Sequence, residues 1–245
     1  MGVMELEKNK IARIHSVESF GTVDGPGIRY VLFLQGCPLK CKYCHNRDTW
    51  DTFLGTTRTL DELLSEIKRY TAYFNSSHGG VTVSGGEPLL QAEFVTELFK
   101  ELHKLNIHTA IDTAGSLPLN DTIKELLTYT DLVLLDIKHI NEEKSKELTG
   151  LSNKNNLAFA KYLNEKNIPV WIRQVLVPGY TDAPEDLKEL KKFIDSLSNV
   201  KKVELLPYHK LGEFKWKNFG EEFPLKDVLP PTKEEIDKAK AILEI

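Results

Sequence analysis

The chain has 245 residues, of which 41% are hydrophobic and 28% charged, as expected for a globular protein with a sizeable core. Its formal net charge is −4 and its lysines and arginines are scattered, which argues against binding to nucleic acid or to an anionic membrane surface. The first ten residues lack the apolar stretch of a signal peptide, and no apolar run is long enough to span a membrane. We therefore expect a cytoplasmic protein.

Short apolar runs alternate with amphipathic segments along the chain. The runs predict six strands, at Tyr30–Leu34, Gly80–Ser84, Ile107–Ile111, Leu132–Leu135, Val170–Val175 and Val203–Leu206. Helices are predicted at Thr59–Tyr73, where Thr59 and Glu62 form a capping box, and at Gln91–Leu105, Thr122–Tyr129, Asn155–Lys166, Pro184–Leu197 and Lys233–Leu243. This alternation predicts an α/β fold with a parallel sheet and outer helices. A partial (βα)6 barrel is the expected architecture, with a doubly wound sheet as the alternative.

Polar side chains follow or end each predicted strand. The active sites of parallel α/β folds lie at the carboxyl ends of the strands, so we expect the site at this edge. The segments concerned are Cys37–Cys44, called the cysteine loop below, Gly85-Gly86-Glu87, Asp112-Thr113, Asp136 with Lys138, Arg173 and His209.

The cysteines are the most informative residues of the chain. All three, Cys37, Cys41 and Cys44, lie within eight residues. An odd number in one short loop argues against a disulfide framework. A structural zinc site normally takes four ligands, and the fourth candidate, His45, directly follows Cys44, where joint ligation is strained. Three thiolates can instead hold three irons of a [4Fe–4S] cluster, which leaves the fourth iron open to a small ligand. We therefore favour an iron–sulfur site over zinc.

The cysteine loop also carries a family resemblance. The segment Cys37-Pro-Leu-Lys-Cys41-Lys-Tyr-Cys44 resembles the Cys-x3-Cys-x-aromatic-Cys motif of the radical S-adenosylmethionine (SAM) enzymes. The preceding Gly25-x-Gly27-x-Arg29, with Phe33, Gly36 and Asn46, resembles the activating enzymes of glycyl-radical enzymes. The segments His15-Ser, Thr22–Gly27, Cys44–Asp51 and Leu205–His209 are similar to those of pyruvate formate-lyase activating enzymes. On this resemblance residues 1–245 form a single radical SAM domain, with residues 1–13 as a short N-terminal extension.

The resemblance implies a function and its cofactors. A [4Fe–4S] cluster on the three cysteines binds the amino and carboxylate groups of SAM at its fourth iron. Reductive cleavage of SAM gives a 5′-deoxyadenosyl radical, which abstracts hydrogen from a backbone glycine of pyruvate formate-lyase. Flavodoxin or ferredoxin is the implied electron donor, and we expect a monomer.

Three other functions remain open. Activases of other glycyl-radical enzymes commonly carry an inserted domain with further cysteine clusters, and this chain has no cysteine left for one. A radical SAM enzyme acting on a small molecule is the second alternative, and a plain electron-transfer or metal-binding module is the third. The cysteine count favours the formate-lyase subclass.

The resemblance also assigns roles to individual residues. Lys138 joins the three cysteines as a catalytic residue, and Asp24 is placed at the contact with the partner peptide. A monovalent cation is implied at Asp112, Thr113 and Asp136, although the family often has Asn where this chain has Ala114. The implied SAM-binding residues are Tyr43, Cys44, His45, Gly85, Gly86, Glu87, Asp136, Ile137, Lys138, Arg173 and His209.

Structural roles compete with several of these assignments. Gly85 and Gly86 suit an ordinary strand-to-helix turn, and Asp136 with Lys138 suits a surface ion pair. Arg173 suits a structural salt bridge, and Asp24 suits a turn cap. A lone histidine such as His209 is more often structural than ligand-binding.

Overall fold

The computed structural model describes residues 10–245. Its strands are β1 (Ile11–Gly21), β2 (Arg29–Leu34), β3 (Thr56–Thr59), β4 (Gly80–Gly85), β5 (His108–Thr113), β6 (Leu132–Asp136), β7 (Val170–Leu176) and β8 (Val200–Pro207). Its α-helices are α1 (Leu60–Ile67), α2 (Thr71–Ser77), α3 (Ala92–Lys104), α4 (Asp121–Thr128), α5 (Glu142–Thr149), α6 (Lys154–Glu165), α7 (Pro184–Asp195), α8 (Glu213–Asn218) and α9 (Lys233–Leu243). Short 3-10 turns lie at Arg47–Thr49, Lys68–Tyr70 and Pro88–Gln91.

The strands form an open sheet in the order β3-β1-β2-β4-β5-β6-β7-β8. Strand β2 is parallel to β4, β4 to β5, and β7 to β8, whereas β1 runs antiparallel to both β2 and β3. The register pairs Arg29 with Gly80 and Leu34 with Gly85, so β2 and β4 end together. The predicted α/β fold of the partial-barrel class, with parallel strands and outer helices, is confirmed.

All six predicted strands form, but the prediction of only six strands was wrong because β1 and β3 were missed. Strand β1 buries Ala12 and Ile14 and leaves most of its other side chains partly or fully exposed, which suits a strand close to the sheet edge. Residues 11–13, expected in the N-terminal extension, belong to β1, and residues 1–9 lie outside the described chain. Strand β3 has four residues with three threonines and no apolar run.

The helices also depart from prediction in two ways. The capping box of Thr59 and Glu62 is present, but α1 ends at Ile67 and a 3-10 turn separates it from α2. Helices α5 and α8 were missed, since α5 is almost entirely polar and α8 has only six residues. Among the described residues no helix has the length and hydropathy needed to cross a lipid bilayer.

The described chain folds as two compact units. Unit 1 contains residues 10–37, 51–113 and 117–134, and its helix α3 packs against β5, α1 and α4. Unit 2 contains residues 38–50, 114–116 and 135–245, and its helix α9 packs against α7. That the whole chain acts as a single domain stays a prediction.

Candidate active site

The carboxyl ends of β2 and β4 are tied together in unit 1. The N–H of Gly86 donates to the carbonyl of Leu34 at 2.9 Å, and the N–H of Glu87 donates to the carbonyl of Gly36 at 2.8 Å. Gly36 immediately precedes Cys37. The Gly-Gly-Glu segment is therefore held on the backbone that leads into the first cysteine.

Both glycines are required by this backbone contact. A Cβ at Gly86 would lie 2.0 Å from the Gly36 oxygen. A Cβ at Gly85 would lie 2.3 Å from the Leu34 nitrogen, and Gly85 also has a positive φ of 114°. The packing of two chain segments thus accounts for both residues. Binding of the SAM amino group by this segment stays a prediction.

The polar residues at the ends of β4 and β5 are hydrogen-bonded to one another within unit 1. The carboxylate of Glu87, 1% exposed, accepts from the Thr113 hydroxyl and from the N–H of Leu89. The carboxylate of Asp112 accepts from the Ser84 hydroxyl at 2.7 Å. Asp112 and Thr113 therefore lie among oxygen atoms that suit a hard cation, and a bound cation stays a prediction.

The second half of the cysteine loop is anchored within unit 2. The N–H groups of Lys40 and Lys42 donate to carbonyls at the end of α5, at 2.7 and 2.9 Å. The N–H of Cys44 donates to the carbonyl of Cys41 at 3.0 Å and closes a tight turn. Cys41 is buried, Cys44 is half-buried, and neither forms a disulfide.

Burial sets the protonation of these thiols. It raises the pKa of Cys41 to about 12, against the opposing field of the Lys138 ammonium. Burial also raises the pKa of Cys44, although the Trp50 side chain and the Asn46 N–H donate hydrogen bonds to this thiol. Both thiols therefore hold their protons at neutral pH until a cation replaces them, as iron does in a cluster.

Three thiols are the donors that a cubane iron–sulfur cluster takes from a protein. Among residues 10–245 no group of three His, Cys, Asp or Glu side chains is placed to hold one metal ion. In a cubane each cysteine binds a different iron, so the sulfurs stand further apart. Cysteine thiols are the usual ligands of such a cluster, and the N–H donors and the ammonium beside Cys41 and Cys44 suit its negative charge.

Lys138 and Asp136 form an ion pair at the end of β6. The ammonium lies 2.6 Å from the carboxylate, and both side chains are about one-fifth exposed, at 19% and 21%. Burial lowers the pKa of Lys138, but Asp136 outweighs that effect and keeps the pKa well above its ordinary value. The N–H of Ile137 donates to the carbonyl of Arg173 at 2.9 Å and fixes this segment on β7. The ion-pair alternative is thus present, while the SAM-binding roles stay predictions.

Tyr43 lies beside the same ammonium. The Lys138 nitrogen is 5.8 Å from the centroid of the Tyr43 ring, and Tyr43 is buried. Burial raises the pKa of the Tyr43 hydroxyl, which has no hydrogen-bond partner among the described residues. Residues predicted from two distant segments therefore meet in unit 2.

His45 and His209 also meet, although 164 positions separate them. The ring Nε2 of His45 lies 2.9 Å from the His209 carbonyl, and the ring centroids are 4.2 Å apart. Burial lowers the pKa of His45, so its ring is neutral at physiological pH. Two neighbouring aromatic rings suit contact with a nucleoside, which stays a prediction.

Two predicted residues lie away from the carboxyl ends of the strands, although only Arg173 was expected there. Arg173, expected at a strand end, is buried in the middle of β7, and its Nε donates to Glu204 at 3.0 Å. Asp24 lies in the connection that enters β2, at the opposite end of that strand from Cys37, and its carbonyl accepts from the Thr82 hydroxyl at 2.6 Å. Their roles toward SAM and the partner peptide stay predictions.

Sequence reasoning missed two tryptophans that contact the cysteine loop. The indole N–H of Trp216 donates to the Cys44 carbonyl at 3.0 Å, across 172 positions of the chain. Trp216 and Trp50 meet edge to face at 5.1 Å. Two features of the sequence could have pointed to them: the chain has only three tryptophans, and Trp50 follows the cysteines closely.

Comparison with known proteins places the chain in a family. Residues 31–194 match the Radical SAM superfamily. Pyruvate formate-lyase 1-activating enzyme of Escherichia coli (strain K12) is 52% identical over 235 residues, which cover 96% of each chain. Pyruvate formate-lyase-activating enzyme of Staphylococcus epidermidis is 54% identical over 233 residues, which cover 92% of each chain.

Solved structures agree with this placement. A domain of pyruvate-formate lyase-activating enzyme from Bacteroides vulgatus superposes with a TM-score of 0.57 at 27% identity, covering 68% of this chain and 93% of that chain. Streptococcus suis SuiB bound to the precursor peptide SuiA gives a TM-score of 0.63 at 21% identity, covering 85% of this chain and 43% of that chain, which is a likeness of fold alone. The chain therefore belongs to the Radical SAM superfamily and, within it, to the pyruvate formate-lyase activating enzymes.

Proposed function

We propose that this protein activates pyruvate formate-lyase by generating a radical on one backbone glycine of that partner. The observation that carries the proposal is the Gly-Gly-Glu segment hydrogen-bonded to Gly36, directly before Cys37. It joins a candidate SAM-binding segment to a candidate cluster ligand. When bound, the reduced [4Fe–4S] cluster supplies an electron to SAM, whose cleavage yields the 5′-deoxyadenosyl radical that takes hydrogen from the glycine.

The three cysteines would hold three irons of the cluster and leave the fourth iron open to SAM. Because burial raises the pKa of Cys41 and Cys44, loading the cluster releases protons from these thiols. Lys138 then offsets part of the negative charge gathered near Cys41. The anchoring of the loop on α5 holds these ligands in place before the cofactor arrives.

The remaining residues bind and orient SAM in this proposal. Glu87 and the carbonyls of Gly85 and Gly86 accept from its amino group. Lys138 pairs with its carboxylate, in exchange for Asp136. Tyr43 and His45 contact the nucleoside, and the remaining SAM contacts are assigned to Cys44, Ile137, Arg173 and His209. Asp112, Thr113 and Asp136 supply oxygens for a monovalent cation, and Asp24 contacts the partner peptide.

The electron comes from another protein, because all three cysteines are committed to one cluster. A flavodoxin or a ferredoxin has the required one-electron chemistry. We place the protein in the cytoplasm, where thiols stay reduced. A monomer suffices, since the proposal needs no residue from a second copy.

Anaerobic reconstitution with iron and sulfide tests the proposal. The reduced protein should convert SAM to 5′-deoxyadenosine and methionine, and added pyruvate formate-lyase should acquire a glycyl-radical resonance. A matched control is the Cys41→Ser variant, which should form neither product. Absence of SAM cleavage by the loaded wild-type protein contradicts the radical mechanism. Cleavage without a radical on pyruvate formate-lyase would favour an activase of another glycyl-radical enzyme.

A further inference from the structure

Two indoles from distant segments hold Cys44 within unit 2. The Trp216 N–H donates to the Cys44 carbonyl at 3.0 Å, and the Trp50 side chain donates to the Cys44 thiol. The two rings meet at 5.1 Å with an interplanar angle of 84°, so each supports the other. Cys44 is thus contacted on its backbone and on its sulfur by neighbouring tryptophans.

Cations cover the Trp50 ring. The guanidinium carbon of Arg47 lies 4.3 Å from the ring centroid, and the ammonium of Lys40 lies 4.4 Å from it. Positive charge on the ring face is attracted to the π electrons and polarises the indole, which strengthens its N–H as a donor. The surroundings of Trp50 therefore favour donation to a negatively charged sulfur.

Ion pairs fix α8, which carries Trp216, and the residues that follow it on the segment that carries Trp50. Arg47 donates two hydrogen bonds to the carboxylate of Glu221, from Nη2 and from Nε, and the Nε–Oε2 distance is 2.7 Å. The ammonium of Lys215 lies 3.0 Å from the Asp48 carboxylate and 3.2 Å from the Asn46 side-chain oxygen. These ion pairs therefore hold the two tryptophans in place around Cys44.

We propose that Trp50 and Trp216 are positioning residues that orient Cys44 and raise the reduction potential of the cluster it holds. The inference rests on the proposed function, because it concerns the cluster. Hydrogen bonds to cluster sulfurs stabilise the extra negative charge of the reduced state. Trp50 acts on the sulfur directly, and Trp216 acts through the backbone. The cluster can then be reduced by an electron donor whose potential is less negative than the one needed without these hydrogen bonds.

Substitution by phenylalanine tests this because it removes the N–H and keeps an aromatic ring. The experiment is an anaerobic redox titration of the reconstituted cluster, followed by electron paramagnetic resonance without SAM or partner. Trp171→Phe is the matched control, since Trp171 lies on β7 with the Lys202 ammonium 4.4 Å from its ring. Iron and sulfide content per chain is measured for every variant.

Trp50→Phe should give a more negative midpoint potential than the control. One hydrogen bond to a charged group is worth about a factor of ten or more in an equilibrium. For a one-electron couple that factor is about 59 mV. Trp216→Phe should shift the potential in the same direction by less, and Trp171→Phe should match the wild type.

Equal potentials in Trp50→Phe and Trp171→Phe would overturn the proposal. Loss of the cluster from Trp50→Phe alone would support its role in orienting the ligand, whereas equal loss from both variants would count against it. If the wild type forms no cluster, the proposed function itself fails. If the wild type forms a cluster and cleaves SAM but Trp50→Phe leaves the potential unchanged, only the present inference fails.

Discussion

Replacing Gly86 by alanine tests the contact between the Gly-Gly-Glu segment and the cysteine loop. The added Cβ would lie 2.0 Å from the Gly36 oxygen and 3.2 Å from the Cys37 Cβ. Atoms that are not bonded do not approach so closely, so the two segments must separate by more than about 1 Å. That separation breaks the hydrogen bonds from Gly86 to Leu34 and from Glu87 to Gly36.

The expected cost follows from these contacts. Two backbone hydrogen bonds contribute about 1 kcal/mol each, and overpacking adds about 1–3 kcal/mol. The lower entropy of unfolded alanine returns about 0.5–1 kcal/mol. The free energy of unfolding should therefore fall by about 2–4 kcal/mol. Cluster content should fall as well, because Cys37 follows the displaced Gly36.

Gly179→Ala is the matched control for this substitution. Gly179 has a positive φ of 77°, and no atom lies within 4 Å of the point where an alanine Cβ would stand, so alanine there costs only backbone strain of about 1–2 kcal/mol. Anaerobic urea denaturation and iron analysis of both variants make the comparison. A Gly86→Ala protein that matches Gly179→Ala in stability and retains full iron would refute the packing argument. Full iron with loss of SAM binding alone would favour a direct ligand role for Gly86.

Three further predictions concern the cysteine ligands, the Lys138 ammonium and the pH dependence of stability. Alanine at Cys37, Cys41 or Cys44 should abolish both stable cluster binding and SAM cleavage. Full activity in one of these variants would show that its cysteine is not a cluster ligand. Lys138→Ala should leave the cluster in place and weaken SAM binding about tenfold or more, measured by equilibrium binding at fixed iron content; unchanged affinity would contradict the assignment. Burial lowers the pKa of His139, so the unfolded state binds the proton more readily and the free energy of unfolding should fall as pH drops through about 6.5. His139→Gln should flatten this dependence, and a slope equal to that of the unsubstituted protein would count against it.

Much of the fold was predictable because local sequence pattern decides it. Buried parallel strands appear as short apolar runs, and Leu132–Leu135 is one that the structure extends by a single residue, to Asp136. The capping box at Thr59 and Glu62 sets the start of α1 by purely local hydrogen bonds. Strand β1 was not predicted because its alternating, half-exposed side chains do not form such an apolar run.

The candidate site was predictable only where sequence neighbours form it. The cysteine spacing and the Asp136–Lys138 pair are local features: the Cys44 N–H donates to the Cys41 carbonyl, and Lys138 pairs with Asp136. Arg173 already lay inside the predicted strand Val170–Val175, and the structure extends that strand to Leu176, so Arg173 is not a strand-end residue. Contacts such as Trp216 with Cys44 depend on tertiary packing across 172 positions, for which no local pattern exists.

The most direct test of the central claim counts two products of one reaction. The reconstituted, reduced protein is mixed anaerobically with SAM and pyruvate formate-lyase, and 5′-deoxyadenosine is compared with glycyl-radical spins. The control is a partner protein whose radical-bearing glycine is replaced by alanine. The account predicts equal amounts of nucleoside and radical with the native partner, and no glycyl radical with the alanine variant. No 5′-deoxyadenosine, or 5′-deoxyadenosine with no radical on the native partner, would contradict it.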